Sequence, residues 1–122
     1  MADKVLVVED ERMMLKVIEF RLRKDGFDVQ IAEDGKSAMD LIKNWQPDIV
    51  ITDIMMPYVS GLELIAFVRD ELKRSIPIIV LSAVGLEKTV VEAFGLGADD
   101  FITKPFSAEE LSIRVRKNLL RR

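Results

Sequence analysis

Three carboxylates, one hydroxyl and one ammonium stand at the ends of four short apolar runs in this chain. Val5-Leu6-Val7-Val8 leads into Glu9-Asp10, and Ile49-Val50-Ile51-Thr52 leads into Asp53. Ile78-Ile79-Val80-Leu81 leads into Ser82, and Phe101-Ile102-Thr103 leads into Lys104-Pro105. In an open α/β sheet, ligands bind beyond the carboxyl ends of the strands. These side chains are therefore expected to meet on one sheet edge, as a small acidic pocket with a single lysine. Glu9, Asp10 and Asp53 set against Lys104 leave an excess of negative charge. Like charges a few Å apart cost on the order of a kcal/mol or more when partly shielded from water. A hard cation relieves that cost, and a few oxygen ligands suit Mg²⁺, which keeps several waters. The pocket then accepts a phosphoryl dianion, with Lys104 and the cation on its oxygens and Ser82 Oγ donating to one. Phosphoryl transfer needs mainly positioning and charge stabilisation, and a carboxylate is an established nucleophile for phosphate.

Each residue also has a plainer reading. Asp53 could end a strand or cap a turn, Asp10 could N-cap the first helix, Ser82 could sit in a turn, and Lys104 could be a counter-ion. Taken together, these readings require four unrelated coincidences at four strand ends on one side of the sheet.

The elements that must position these residues follow from hydrophobic period. Residues 4–8 read as a buried parallel strand, since Val5 to Val8 are apolar without alternation. Met14, Ile18 and Leu22 mark one face of a first helix, which Gly26 ends in a left-handed cap. Phe27, Val29 and Ile31 alternate with polar residues, as on an edge strand. Asp34 N-caps a second helix with the stripe Ala38, Leu41, Ile42 and Trp45, closed by Pro47. Ser60 with Glu63 forms a capping box for a third helix, whose buried face is Ile65, Val68 and Leu72. Residues 87–95 form a shorter, weaker helix, with Gly95 and Gly97 loosening its end. Ser107 with Glu110 caps a last helix lined by Ala108, Leu111, Val115 and Leu119. Five βα units predict an α/β, doubly wound, three-layer sandwich. The flavodoxin-like order 2-1-3-4-5 places the alternating second strand and the short fifth strand on the edges. It also makes Asp10, Asp53, Ser82 and Lys104 neighbours.

Composition narrows the function. The 122 residues fit one domain spanning 1–122, and 49% are hydrophobic, enough for a core. The apolar runs are of strand length, too short for a transmembrane helix. Asp3-Lys4 precedes a run that is short and then acidic, unlike a signal peptide. Cysteine is absent, which excludes a disulfide framework and thiolate metal sites and agrees with a cytoplasmic location. Histidine is absent too, which excludes a phosphohistidine, a Ser-His-Asp triad and zinc-histidine sites. With 18 basic and 21 acidic residues the net charge is −3, so direct nucleic-acid binding is not expected. Arg114, Arg116, Lys117, Arg121 and Arg122 read as a solvated face near a helix C-terminus, where cations suit the macrodipole.

Over essentially its whole length the chain resembles the receiver domains of two-component response regulators, with the CheY-like fold. The motifs are Val8-Glu9-Asp10, Asp53-Ile-Met-Met-Pro57 with Gly61, Ser82-Ala83, and Gly97-Ala-Asp-Asp-Phe-Ile-Thr-Lys-Pro-Phe106. Each is weak alone, and the ordered set on five βα units is specific. The resemblance implies that Asp53 receives phosphate from a histidine kinase or phosphotransfer protein. It implies Mg²⁺ on Asp10, Asp53 and the backbone carbonyl of Met55, with Glu9 acting through water. Lys104 contacts the phosphoryl group, Ser82 moves toward it, and Phe101 changes rotamer to report it. The Lys104-Pro105 bond is expected to be cis. Two residues depart from common family usage: Phe101 replaces Tyr and Ser82 replaces Thr. Met55 and Val84 flank the approach of water to the phosphorylated aspartate, and their apolar side chains imply slow self-dephosphorylation.

The 97–106 segment and the Arg114/Arg116 helix are most similar to receivers of the winged-helix transcription-factor subfamily. That subfamily pairs through charged residues on its fourth helix, fifth strand and fifth helix. This implies a weak homodimer through residues 87–119, although Val90 stands where a basic residue is usual and Gly95 where an acid is usual. The chain stops at Arg122, where a linker would begin, which suits either a stand-alone regulator or an excised module. A haloacid-dehalogenase-type phosphatase would need an aspartate two after the nucleophile, where this chain has Met55. A flavodoxin-type module would need a phosphate loop where Glu9-Asp10-Glu11 would repel phosphate. A degenerate, purely protein-binding receiver would not keep Asp10, Asp53, Ser82 and Lys104 together.

Overall fold

The computed structural model describes residues 2–121. Five parallel strands, β1 (Lys4–Val8), β2 (Asp28–Ala32), β3 (Ile49–Asp53), β4 (Ile78–Ser82) and β5 (Asp100–Thr103), pair in the order β2-β1-β3-β4-β5. Five helices alternate with them: α1 (Arg12–Lys24), α2 (Gly35–Asn44), α3 (Gly61–Ala66), α4 (Glu87–Leu96) and α5 (Ala108–Leu120). This is the predicted flavodoxin-like α/β sandwich.

Period-2 alternation divides each strand between two apolar layers. Val5, Val7, Ile49, Ile51, Ile79, Leu81 and Ile102 pack with Leu15, Ile18, Leu22, Leu111 and Val115 of α1 and α5. Leu6, Val8, Val50, Ile78 and Val80 pack instead with α2, α3 and α4, through Ala38, Ile42, Leu64, Ile65, Val90 and Ala93. Burying each of the larger side chains contributes roughly 1.5–3 kcal/mol against chain entropy.

The helix ends follow local chemistry. Beyond α1, Gly26 has φ +96°, its N–H donates to Arg23 O, and the Phe27 N–H donates to Leu22 O. These bonds form a Schellman cap, and only glycine takes that φ without cost. Asp34 accepts from the Ser37 N–H at 2.8 Å. Ser60 and Glu63 complete both halves of the capping box, while Ser107 accepts from the Glu110 N–H. Two details differ from expectation. The third helix does not continue as one α-helix through Leu72: Phe67–Glu71 is a π turn, closed by Leu72 N–H donating to Phe67 O. Gly97 does not loosen α4 but ends it, at φ +118°, with N–H bonds to Ala93 O and Phe94 O.

One tie between α1 and α5, the two helices on one face of the sheet, has a pH signature. Asp25, just past α1, accepts from the buried Ser112 hydroxyl of α5 and from Arg21 Nε at 3.1 Å. Burial pushes the Asp25 carboxyl up, but Ser112 and Arg21 outweigh it and hold it below its ordinary 3.8. A depressed carboxylate adds stability above its unfolded value and loses it as pH falls through its folded value. Ser112→Ala is therefore expected to cost about 1.5 kcal/mol at neutral pH. The difference from wild type should shrink as pH falls below 3.8, as read by urea unfolding at several pH values. A cost independent of pH would assign Ser112 a packing role only.

Candidate functional site

Parity along the strands brings the polar ends together. Glu9 continues the alternation of Val5 and Val7, Asp53 that of Ile49 and Ile51, and Lys104 that of Ile102, all residues of the α1/α5 layer. Their side chains meet beyond the sheet edge. Lys104 Nζ lies 3.0 Å from Asp53 Oδ2 and 2.8 Å from Glu9 Oε1. The Lys104 N–H donates to Ser82 O at 2.7 Å, and the Lys104-Pro105 bond is cis.

The surroundings hold Asp53 in place. Thr52 Oγ1 donates to the Asp53 carbonyl at 3.0 Å, and the Met55 N–H donates to Asp53 Oδ1 at 3.2 Å. Gly61 N–H closes the following loop onto Ile54 O at 3.0 Å. A Cβ at Gly61 would stand 2.4 Å from Asp53 O, so any other residue would displace the strand end that carries Asp53.

Charge is strained here. Glu9 is fully buried; Oε2 accepts from the Glu11 N–H at 3.1 Å, while Oε1 has the Lys104 charge contact but no hydrogen bond of regular geometry. Burial pushes the Glu9 carboxyl up to about 7, against the pull of Lys104 and the Glu11 amide. Burial alone would lower the Lys104 ammonium, but contact with Glu9 and Asp53 outweighs it and raises it, so it stays charged. Asp10 does not N-cap α1. Glu11 occupies that position without a side-chain bond, and among the described residues Asp10 makes no side-chain hydrogen bond. Its exposed carboxylate is left to the pocket. Carboxylate oxygens of Glu9, Asp10 and Asp53 all lie within 4.8 Å of one another. An oxygen-only donor set, a poorly bonded buried oxygen and excess negative charge fit a small hard dication.

Ser82 and Phe101 fall on the opposite parity. Ser82 continues Ile78 and Val80 of the α4-side layer, and Phe101 pairs in register with Val80, as Thr103 does with Ser82. Buried Ser82 thus floors a cavity of about 330 Å³ beneath α4, walled by Val84, Leu86, Val90, Phe94 and Phe101. Phe101 is 38% exposed and turned outward, with its ring edge-on to Phe94 at 5.9 Å. Sequence reasoning did not single out Phe94. Its only local signal is an aromatic side chain near the end of an otherwise weak helix. Met55 and Val84 are exposed, at 56% and 77%, and Val84 also lines the cavity beneath α4.

The response regulator receiver domain family profile matches residues 5–116. This chain belongs to that family. It is similar to the Francisella response regulator 1452 receiver domain, at 36% identity over 98% of both chains, with a TM-score of 0.88. It is also similar to a response regulator receiver domain protein from Clostridium thermocellum, at 30% identity, TM-score 0.90, covering 98% of this chain and 95% of that one. NtrX from Brucella abortus matches at 31% identity and TM-score 0.90, covering 98% of this chain and 27% of NtrX. Receiver domains are two-component signalling phosphoacceptors rather than classical enzymes, and they bind Mg²⁺ at an acidic pocket. In this receiver the acidic cluster is Glu9, Asp10 and Asp53. Among the described residues no helix is long and apolar enough to cross a membrane.

Proposed function

We propose that this receiver accepts a phosphoryl group on Asp53 from a histidine kinase or phosphotransfer protein, and transmits it to the surface of α4, β5 and α5. The observation that supports this most is Lys104 placed between Asp53 and buried Glu9, at 3.0 and 2.8 Å, beside a third carboxylate. An Asp53 oxygen attacks phosphorus as the P–N bond to the donor imidazole breaks, and the imidazole leaves with the electron pair. Lys104, already on Asp53, turns its charge to the phosphoryl oxygens, and Ser82 Oγ donates to one of them. Asp10, Asp53 and the Met55 backbone carbonyl would hold Mg²⁺ directly, and Glu9 through water; the bound cation supplies positive charge against the phosphoryl oxygens. Once Ser82 has moved toward the phosphate, Phe101 has room to enter the cavity beneath α4. The domain catalyses only its own phosphorylation and slow self-dephosphorylation.

The test compares amide exchange over residues 84–101 with and without beryllofluoride and Mg²⁺. Wild type is expected to change there. Ser82→Ala should still take a phosphoryl group but respond less. An unchanged region around an occupied pocket would remove the switch from this reading.

Dephosphorylation needs a water aligned with the Asp53–phosphorus bond, and orienting that water is a large part of the barrier. Apolar Met55 and Val84 offer it no hydrogen bond. Met55→Asn with Val84→Glu is expected to speed decay about tenfold or more, equivalent to ~1.4 kcal/mol of barrier. Phosphoprotein half-life by intact mass reads this directly. A wild type already decaying as fast as the double variant would show that other groups control the water.

Kinship with the winged-helix subfamily and its weak homodimer through residues 87–119 form the finer part of the proposal. Asp99, Asp100 and Arg114 on that face are already engaged within the chain. Arg114 Nη1 donates to Asp100 Oδ1 at 2.8 Å, Asn118 donates to Asp100 Oδ2, and Asp99 accepts from Arg69. A dimer that used these three would have to exchange their intrachain pairs for pairs across the interface, at little net gain. We propose no direct contact of this domain with nucleic acid or membrane.

A further inference from the structure

The two ends of α4 are held unequally. Its C-terminal end is clamped from outside the helix by Arg69, on the π turn that follows α3. Arg69 Nε and Nη2 donate to Gly97 O at 3.1 and 2.9 Å, Nη1 to Arg74 O and Ile76 O, and Nη2 also to Asp99 Oδ2. Asp99 Oδ2 accepts in turn from the Ile78 N–H at 2.8 Å, so one guanidinium ties the last turn of α4 to the entrances of β4 and β5. Four carbonyl and carboxylate partners for one fork of donors make an anchor that cannot slide without losing several bonds together.

The other end is loose. Leu86 at the N-cap offers no side-chain bond, and Gly85 before it has φ +95° with nothing within 4 Å of a built Cβ. The cavity of about 330 Å³ lies beneath this half of the helix. Between the loose and the clamped parts stands Gly95. Its φ is not in the left-handed region, and a methyl there would meet no atom within 4 Å. Neither backbone strain nor crowding calls for a glycine at that position. A glycine inside a helix has one other physical effect, to weaken the helix locally.

We propose that α4 is a lever jointed at Gly95. Arg69 pins Gly97 and Asp99, and residues 84–94 swing over the cavity while the clamped end stays in place. The Phe94–Phe101 ring contact lies on the moving side of the joint and holds the lever in its present position. This rests on the Ser82/Phe101 switch proposed above and deepens it by saying which part of the surface moves.

The experiment uses the whole chain with beryllofluoride and Mg²⁺, read by residue-resolved amide exchange, with pocket occupancy checked by mass. In wild type, amides 84–94 are expected to change and amides 97–99 to stay as they are. Gly95→Ala, placed in open space, should fold, unfold at a higher temperature and be phosphorylated normally. Its swung population should fall about fivefold, the helix-propensity difference between the two residues. A wild-type change that runs undiminished through residues 97–99 overturns the lever and leaves the switch standing. A Gly95→Ala protein that responds like wild type overturns the joint. No change anywhere with the pocket occupied overturns the switch, and the lever with it.

Discussion

Replacing Asp53 with asparagine is expected to reduce phosphorylation by a small phosphodonor from one group per chain to none. Asparagine keeps the shape of the side chain and can still accept from the Met55 N–H, so the loop after β3 should hold. It removes the anionic oxygen that attacks phosphorus, and the amide is a poor nucleophile. Lys104 loses one partner but keeps Glu9 at 2.8 Å, so the ammonium remains in the pocket. Intact mass after incubation with Mg²⁺ and the phosphodonor reads the result, and fragmentation maps the site in wild type. One added phosphoryl group that survives Asp53→Asn would sink the assignment, because the remaining carboxylates would then include the acceptor.

Chelating divalent cations is expected to abolish labelling as completely, and Asp10→Ala to come close to it. The warrant is electrostatic. Glu9, Asp10 and Asp53 bring oxygens within 4.8 Å of one another against one ammonium, and a phosphoryl dianion adds to the same excess. Without a cation, the approach of phosphate costs several kcal/mol in a partly shielded site, enough to slow transfer by orders of magnitude. Asp10 is a clean probe because it is exposed and caps nothing, so its loss should not unfold α1. Labelling that persists undiminished in excess chelator would refute the metal requirement. A labelled Asp10→Ala protein in Mg²⁺ would instead move the ligand role to Glu9 and Asp53.

The strands, their order and the meeting of Glu9, Asp10, Asp53 and Lys104 were legible because they rest on strand-end signals and the alternation of elements. An apolar run ending in a charged residue marks a strand end, and alternation of strand and helix dictates parallel pairing with ligands on one edge. Asp34, Ser60, Ser107 and Gly26 announced helix ends through side-chain oxygens and a missing Cβ, both local in sequence. The π turn at Phe67–Glu71 was not legible, because one extra residue in a helical turn leaves the apolar spacing of Ile65 and Val68 intact. Gly97 was misread as loosening a helix it closes, since a left-handed cap and an interior break share the same residue type.

Sequence by itself determined which groups are present: three carboxylates, one lysine and one hydroxyl, each at a strand end. Tertiary structure decided how these groups stand toward one another. It buried Glu9 against Lys104 and raised its carboxyl to about 7, sent Ser82 and Phe101 to the face beneath α4, and committed Asp99 and Asp100 to partners within the chain. Residue types and spacing depend on the chain's own period. Burial, ion pairing and parity across strands depend on contacts between segments tens of residues apart, and only the packed sheet brings those together.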